Sequence, residues 1–201
     1  MSENIENSEQ VKPVDNFRGL LNQNSVNYLG GHLGHIHNSY KQLGFVQVGV
    51  FADMDEIGNK KFPSFTYTIG IEENYNLPEF VIVGLNNKMA GIIINDIMHW
   101  VRTKGFTPEP FKVYNQFTNF KMCLVPVMVP AKETLMTLTN LFYTNKNKAV
   151  GINDNHFNAY QIIWTDTQNH FPWEEGFEEQ FMDDALCLFD EETFEKAKDI
   201  K

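Results

Sequence analysis

The chain has 201 residues, a length typical of one domain with short extensions, and 42% of them are hydrophobic, which suffices for a substantial core. Its formal net charge of −10 repels phosphate backbones, so non-specific nucleic-acid binding is not expected. There are two cysteines without metal-type spacing, no apolar leader and no apolar run of membrane length. These features predict a cytoplasmic protein that does not enter a membrane.

Composition divides the chain into three parts. Residues 1–16 are polar and rich in Glu, Asn and Ser, so we expect a flexible N-terminal segment. Residues 17–176 carry the apolar patterns of helices and strands and predict the core domain. Residues 177–201 are dense in acidic side chains, and we expect an acidic C-terminal extension of one or two helices.

The first half of the chain predicts the end of a helix followed by three strands. Gly44 is expected to end a helix that continues through Leu43. Alternating apolar and polar residues predict strands at 45–52 and 64–70, and an apolar run predicts a third at 79–85. Because the third strand is apolar on both sides, we expect it in the centre of the sheet.

A long helix is predicted after the third strand. Asn86 and Asn87 are good N-cap residues, apolar side chains recur at helical spacing from about residue 88 to 104, and Gly105 supplies a C-terminal stop. A turn is expected at 72–77, before that strand.

The second half of the chain completes the predicted fold. Strands are expected at 111–117, 121–129 and 159–165, and a helix at 131–143. Most connections between consecutive strands are too short for repeated right-handed crossovers. The sequence therefore predicts an α+β fold with a mainly antiparallel sheet and helices packed on it.

Two sequence blocks combine strands with polar and aromatic turns. The first comprises Pro63–Ile71 and Leu77–Leu85, and the second comprises Gln161–Asp166 and Phe171–Glu174. We expect the two blocks to form neighbouring strands whose aromatic and acidic side chains face one common cleft.

These blocks resemble the family known as Domain of Unknown Function 4262. The resemblance covers roughly residues 35–176 and is carried by Tyr67-Thr68-Ile69-Gly70-Ile71, Pro78-Glu79-Phe80 with Gly84, Gln161 to Asp166, and Phe171-Pro172-Trp173. It implies no established reaction. Two departures matter: many members carry an early Cys-x-x-Cys, whereas this chain has no cysteine before Cys123, and Asn169 stands in a turn that usually contains Gly. Asn169 is expected to adopt the left-handed conformation.

The candidate ligand-binding residues come from these blocks: Tyr67, Glu79, Trp164, Asp166 and Trp173. A cleft lined by aromatic rings with two carboxylates is a common way to hold a small polar ligand. The alternative is structural, with Glu79 and Asp166 fixing turns through backbone N–H groups and the tryptophans packing on the sheet. In that case the carboxylates stabilise the fold and contact no ligand.

A separate cluster of three histidines suggests metal binding. His32, His35 and His37 lie within a glycine-rich segment, and on an irregular loop the three imidazoles could converge on a divalent metal such as zinc or iron. Polar contacts at the start of a helix are the alternative. No further metal ligand can be assigned from the sequence.

Two functional hypotheses follow. The first is a binding or interaction protein for a protein or small-molecule ligand, with an immunity or inhibitor role in bacterial or phage–host conflict as one example. It rests on the absence of a complete catalytic signature. The second is a hydrolase that uses Glu79, Asp166 and a histidine, with or without a metal.

Overall fold

The computed structural model describes residues 39–149 and 156–200. Residues 39–43 are helical and end at Gly44, as predicted. The strands are β1 (Val46–Val50), β2 (Asp53–Met54), β3 (Lys60–Phe62), β4 (Phe65–Ile69), β5 (Glu79–Val83), β6 (Val113–Tyr114), β7 (Met122–Pro126) and β8 (Ala159–Trp164). The helices after residue 44 are α1 (Ile71–Tyr75), α2 (Asn87–Lys104), α3 (Val129–Leu135), α4 (Thr137–Ala149) and α5 (Glu191–Ala197), with a 3₁₀ turn at Glu179–Phe181.

Six strands form one mixed sheet in the order β1-β4-β5-β8-β7-β6, and β2 and β3 form a separate hairpin. All neighbours in the large sheet are antiparallel except β5 and β8, which run parallel with Glu79 beside Ala159. The long connection between these two parallel strands contains α2, β6, β7, α3 and α4. The predicted α+β class and the central place of β5 are confirmed.

The two faces of the sheet bury different sets of apolar residues. In β5, Phe80 and Ile82 pack with the buried side of α2, whereas Val81 and Val83 point to the opposite face, where Tyr143 of α4 lies. The C-terminal segment covers the β7 end of that second face, where Phe189 and other buried residues pack with Cys123 and Val125. Helices and the C-terminal segment therefore cover both faces of the sheet.

The ends of α2 follow the sequence prediction closely. The side chain of Asn86 accepts a hydrogen bond from the N–H of Met89, and Gly105 adopts a left-handed conformation after the last turn. Not all apolar residues at helical spacing are buried. Met89 and Ile92 are exposed, and the buried side of the helix is formed by Ile93, Ile97 and their neighbours.

Several predicted boundaries need correction. The predicted turn at 72–77 is mostly the short helix α1. In its first turn, the N–H of Glu72 donates a hydrogen bond to the side chain of Glu79, which lies outside the helix. The helix predicted at 131–143 is two helices, because Met136 leaves the helical conformation, a break that apolar spacing does not reveal. The strand predicted at 111–117 shortens to β6, because Phe117 joins a cluster of aromatic rings instead of the sheet.

The predicted C-terminal helices are shorter than expected. Within 177–200 only the 3₁₀ turn and α5 are helical. The side chains of Leu188, Phe189, Ala197 and Ile200 are nevertheless buried against the rest of the protein. The predicted segment 1–16 lies outside the described residues. No helix in 39–149 or 156–200 combines the length and apolarity needed to cross a bilayer.

Candidate functional site

A cavity of about 410 Å³ opens where β5 and β8 end side by side. Because these strands are parallel, their carboxyl ends meet at the same edge of the sheet, and the residues that follow each strand form two walls of the cavity. The C-terminal segment supplies a third wall. The lining residues are Gly84, Leu85, Asn119, Phe120, Trp164, Thr165, Asp166, Thr167, Phe181 and Asp184.

Trp164 forms part of the apolar wall of this cavity. Its indole N–H donates to the carbonyl oxygen of Val83 at 2.8 Å, which fixes the ring across the neighbouring strand. Phe181 meets the ring edge-on at 5.7 Å between centroids, and Phe177 packs at 6.4 Å. With 7% of its surface exposed, Trp164 contributes a rigid aromatic surface rather than a movable side chain.

Gly84 allows the third wall to approach the sheet. Its φ of +87° is a conformation that residues with a side chain rarely adopt, and a Cβ built there would lie 2.1 Å from the carbonyl oxygen of Asp184. The glycine next to the end of the first sequence block is therefore required by close backbone packing at the cavity.

Asp166 shapes the turn that follows β8. Its Oδ1 accepts the N–H groups of Gln168 at 2.9 Å and His170 at 2.8 Å, and its Oδ2 accepts the N–H of Glu178 at 3.0 Å. Burial raises the pKa of this carboxyl group, but the three backbone donors and the nearby His170 side chain together outweigh burial, so its pKa is lowered. Asp166 is therefore a buried anion that fixes the turn, which is the structural alternative expected from sequence.

Two neighbours of Asp166 complete the turn. Asn169 has a φ of +66°, so the predicted left-handed conformation is confirmed, and its side chain accepts the N–H of Lys121 at 3.1 Å. The Nδ1 atom of His170 lies 3.5 Å from Oδ2 of Asp166 without forming a hydrogen bond. The turn thus brings a carboxylate and an imidazole together.

Glu79 lies at the other end of the same strands. Its Oε1 accepts the N–H groups of Gly70 at 2.7 Å and Glu72 at 3.2 Å and the hydroxyl of Tyr143 at 2.6 Å. Its Oε2 lies 2.6 Å from the hydroxyl oxygen of Thr68. The carboxyl group thus caps α1 from outside and joins β4, β5 and α4.

Complete burial raises the pKa of Glu79, an effect that the surrounding donors only partly oppose. The protonated acid fits the same geometry, because Oε1 can keep its three donors while the Oε2 proton is donated to Thr68. Thr68 then directs its own hydroxyl toward the carbonyl of Phe80, 3.5 Å away.

The two blocks form neighbouring strands, as expected, because β5 pairs with β8, but the expectation of one common cleft is wrong. Ala159 pairs with Glu79, and Asp166 lies seven positions further along the chain, so the two carboxyl groups are separated by about 20 Å along the strands. Tyr67 belongs to the buried cluster on the α4 face, whereas Trp164 belongs to the cluster on the α2 face. Alternation of side chains along paired strands puts these rings on opposite sides of the sheet.

Trp173 is also remote from the cavity. It stacks on Phe171 at 5.0 Å in the cluster beneath the C-terminal segment, on the face opposite Trp164. Among the five residues proposed from sequence, Trp164 and Asp166 line the cavity, and Tyr67, Glu79 and Trp173 do not.

The histidine cluster of the sequence analysis, His32, His35 and His37, lies outside the described residues. Within the described parts of the chain, no group of three or more His, Cys, Asp or Glu side chains could hold a metal ion. The metal site stays a prediction.

Sequence reasoning missed the other charged groups of the cavity. Asp184 lines it, and the Nζ atom of Lys60, at the start of β3, lies 2.6 Å from Oδ1 of Asp184. These residues are 124 positions apart, and neither belongs to a recognisable motif. The acidic and aromatic composition of the C-terminal segment was the one available signal, because it supplies both Asp184 and Phe181.

The molecule is thus an α+β protein with a six-stranded mixed sheet and a ligand-sized cavity at the carboxyl ends of its parallel strand pair. Residues 41–178 match the family described as "Domain of unknown function (DUF4262)", and the chain belongs to this family. No curated protein and no solved structure matches the chain.

Proposed function

We propose that this protein is a cytoplasmic binding protein that holds a small molecule in the cavity at the ends of β5 and β8. The observation that carries the proposal is the cavity itself, whose volume of about 410 Å³ falls within the usual range of about 300–1,000 Å³ for ligand pockets. Both cysteines are free, which supports a reducing compartment.

The lining has the chemistry of a small-molecule site. Trp164, Phe120 and Phe181 offer apolar surface, and Thr165, Thr167 and Asn119 bring polar groups to the same space. The indole of Trp164 is held by its hydrogen bond to Val83, so much of the apolar wall is formed before a ligand arrives. Preformed walls reduce the entropy lost on binding.

The geometry gives no support to the hydrolase that uses Glu79 and Asp166 together. Carboxyl groups about 20 Å apart cannot act on one bond, because acid–base catalysis needs each group within hydrogen-bonding reach of the reacting atoms. The role as an immunity or inhibitor protein stays a prediction from the general character of the sequence. The metal hypothesis would be tested by elemental analysis of untagged protein.

The binding proposal can be tested with 5-fluorotryptophan incorporated at the three tryptophan positions. Trp164 lines the cavity, whereas Trp100 packs with aromatic rings at the α2 side and Trp173 lies on the opposite face. Assignment follows from single Trp→Phe variants. In a screen of soluble aromatic fragments, we expect saturable shifts of the Trp164 resonance with the other two unchanged.

A matched pair of variants provides the control. Asn119→Tyr places a ring at the cavity wall and should abolish the shift, while Asn115→Tyr adds the same ring at an exposed position outside the lining and should not. The proposal fails if no fragment moves the Trp164 resonance, or if the shift survives Asn119→Tyr unchanged.

A further inference from the structure

Carboxylates dominate the charge around the cavity. Asp166 and Asp184 line it, and Glu178 lies beside it, with a carboxylate oxygen that accepts the hydroxyl of Thr167. Among the described residues that line the cavity, none is Lys, Arg or His. Lys60 is not among the lining residues, but its Nζ lies 2.6 Å from Oδ1 of Asp184.

The charge of Asp166 is not neutralised by that lysine. Its carboxylate is fully buried and accepts three backbone N–H groups, which carry partial rather than full positive charge, and Nδ1 of His170 lies 3.5 Å from its Oδ2 without forming a hydrogen bond. Because the group is buried, water screens its field weakly, and the negative potential extends into the adjacent cavity.

The aromatic walls favour the same sign of ligand charge. The faces of Trp, Tyr and Phe rings carry negative electrostatic potential, so a cation near a ring face is attracted, by about 0.5–2 kcal/mol. Trp164 is the ring type for which this attraction is strongest, and Phe120 and Phe181 line the same space. An anionic ligand would lie close to the carboxylate of Asp184, which disfavours it.

We propose that the ligand class of this cavity is an organic cation, an ammonium group carried on an apolar body. The apolar body lies among Trp164, Phe120 and Phe181 and the ammonium group faces the carboxylate of Asp184, while the buried carboxylate of Asp166 adds negative charge beside the cavity without contacting the ligand. This inference rests on the proposed function, since it names the ligand class of the same cavity.

Lys60 has a defined place in this scheme. Its Nζ holds the position beside Asp184 that a ligand ammonium would compete for. Removing the lysine charge therefore frees one carboxylate for the ligand, whereas removing the Asp184 charge takes away a partner. The two substitutions are expected to shift cation affinity in opposite directions.

Three probes of similar size and different charge test the inference: 2-phenylethylammonium, 2-phenylethanol and phenylacetate. Each is titrated at low salt into the 5-fluorotryptophan protein while the Trp164 resonance is followed. We expect the ammonium to bind about tenfold more tightly than the alcohol, and the alcohol more tightly than the carboxylate. Lys60→Met should increase ammonium affinity, and Asp184→Asn should decrease it, with little effect on the alcohol.

The outcomes separate the two proposals. If the alcohol or phenylacetate binds as tightly as the ammonium, the cation inference is overturned and the binding function stands. If none of the three probes moves the Trp164 resonance while other fragments of the screen do, the cation inference is overturned and the binding function stands; if no fragment moves it, both are overturned. The wild-type comparison decides without any variant, so a variant that folds poorly does not affect the result.

Discussion

Glu79 is a buried acid whose surroundings accommodate its neutral form. Three donors converge on Oε1, and Oε2 lies close enough to Thr68 to donate a proton to it. A glutamine at this position can reproduce the pattern, with its carbonyl in place of Oε1 and its NH₂ group directed at Thr68. The hydrogen bonds, rather than the negative charge, are what this residue contributes to the fold.

The first prediction follows from that equivalence. Glu79→Gln should change the free energy of unfolding at neutral pH by less than about 1 kcal/mol, whereas Glu79→Leu should cost about 3 kcal/mol or more because it leaves buried donors unpaired. Urea denaturation measures both changes. A glutamine variant as unstable as the leucine variant would show that the negative charge itself is required.

The pH dependence of stability provides a second prediction at this residue. Because burial raises the pKa of Glu79 in the folded state, the folded protein retains a proton that the unfolded chain loses near the ordinary value of 4.5. Stability should therefore fall as pH rises from 4.5 through the folded-state pKa, by at most about 1.4 kcal/mol per pH unit from this group. Relative to wild type, Glu79→Gln should lack this slope; parallel pH profiles for the two proteins would contradict the assignment.

The contribution of Asp166 to the pH dependence of stability should have the opposite sign to that of Glu79. Its folded-state pKa is lowered despite burial, so the stability it contributes is present above its ordinary pKa of 3.8 and is lost as pH falls through the folded-state value. Asp166→Asn should cost about 1–3 kcal/mol at neutral pH, since the amide presents an NH₂ group to the N–H of Glu178. The exposed Asp183→Asn serves as control and should change the free energy of unfolding by less than about 0.5 kcal/mol.

Among the structural elements, the β5–β8 pair determines where a ligand can bind. Two parallel strands end at one edge of the sheet, and both turns that follow are held by specific residues, Gly84 after β5 and Asp166 after β8. The C-terminal segment closes on this edge through the contact between Gly84 and Asp184. With Asn119 and Phe120 from the turn before β7, the cavity is therefore a product of four segments that are distant in the chain.

Gly84 permits a prediction with an internal control. Gly58 has nearly the same φ, +88° against +87°, but a Cβ there would meet nothing within 4 Å. Gly58→Ala should cost about 1–2 kcal/mol from backbone strain alone, and Gly84→Ala about 1–3 kcal/mol more from the clash with Asp184. Urea denaturation measures the difference, and the 5-fluorotryptophan resonance of Trp164 should shift only in Gly84→Ala. Equal costs for the two variants would mean that this contact contributes nothing.

Elements with a strong local signal were predictable from the sequence, as was the neighbourhood of β5 and β8, but the full strand order and the strand directions were not. The ends of α2 could be placed because Asn86 and Gly105 act through local backbone geometry. Whether the two blocks share a cleft could not be predicted from the sequence. The answer depends on which face of the sheet Tyr67 and Trp164 occupy and on the direction of β8 relative to β5. The direction and facing of strands paired over such distances leave no local trace, and the Lys60–Asp184 contact is missed for the same reason.

At the scale of the whole molecule, the sheet is a shared middle layer between two buried faces. Each central strand contributes alternate side chains to both faces. If the packing on one face is lost and the strands separate, the side chains on the other face are exposed as well. The C-terminal segment is part of this arrangement, because Phe189 is buried in the cluster with Cys123 and Val125 of β7. We therefore expect the segment from residue 177 onward to unfold together with the rest of the protein.

This expectation gives the last prediction. In urea, the folded 5-fluorotryptophan resonances of Trp100, Trp164 and Trp173 should disappear with the same midpoint, although Trp173 lies beneath the C-terminal segment and the other two lie on the α2 side. Phe189→Ala should lower all three midpoints together, with a loss of about 3–5 kcal/mol in the free energy of unfolding. Phe51→Ala, which truncates a ring that is 86% exposed, should leave them within about 0.5 kcal/mol of wild type. An earlier transition at Trp173 alone would instead identify the C-terminal segment as a separate unit that folds onto an independently stable sheet.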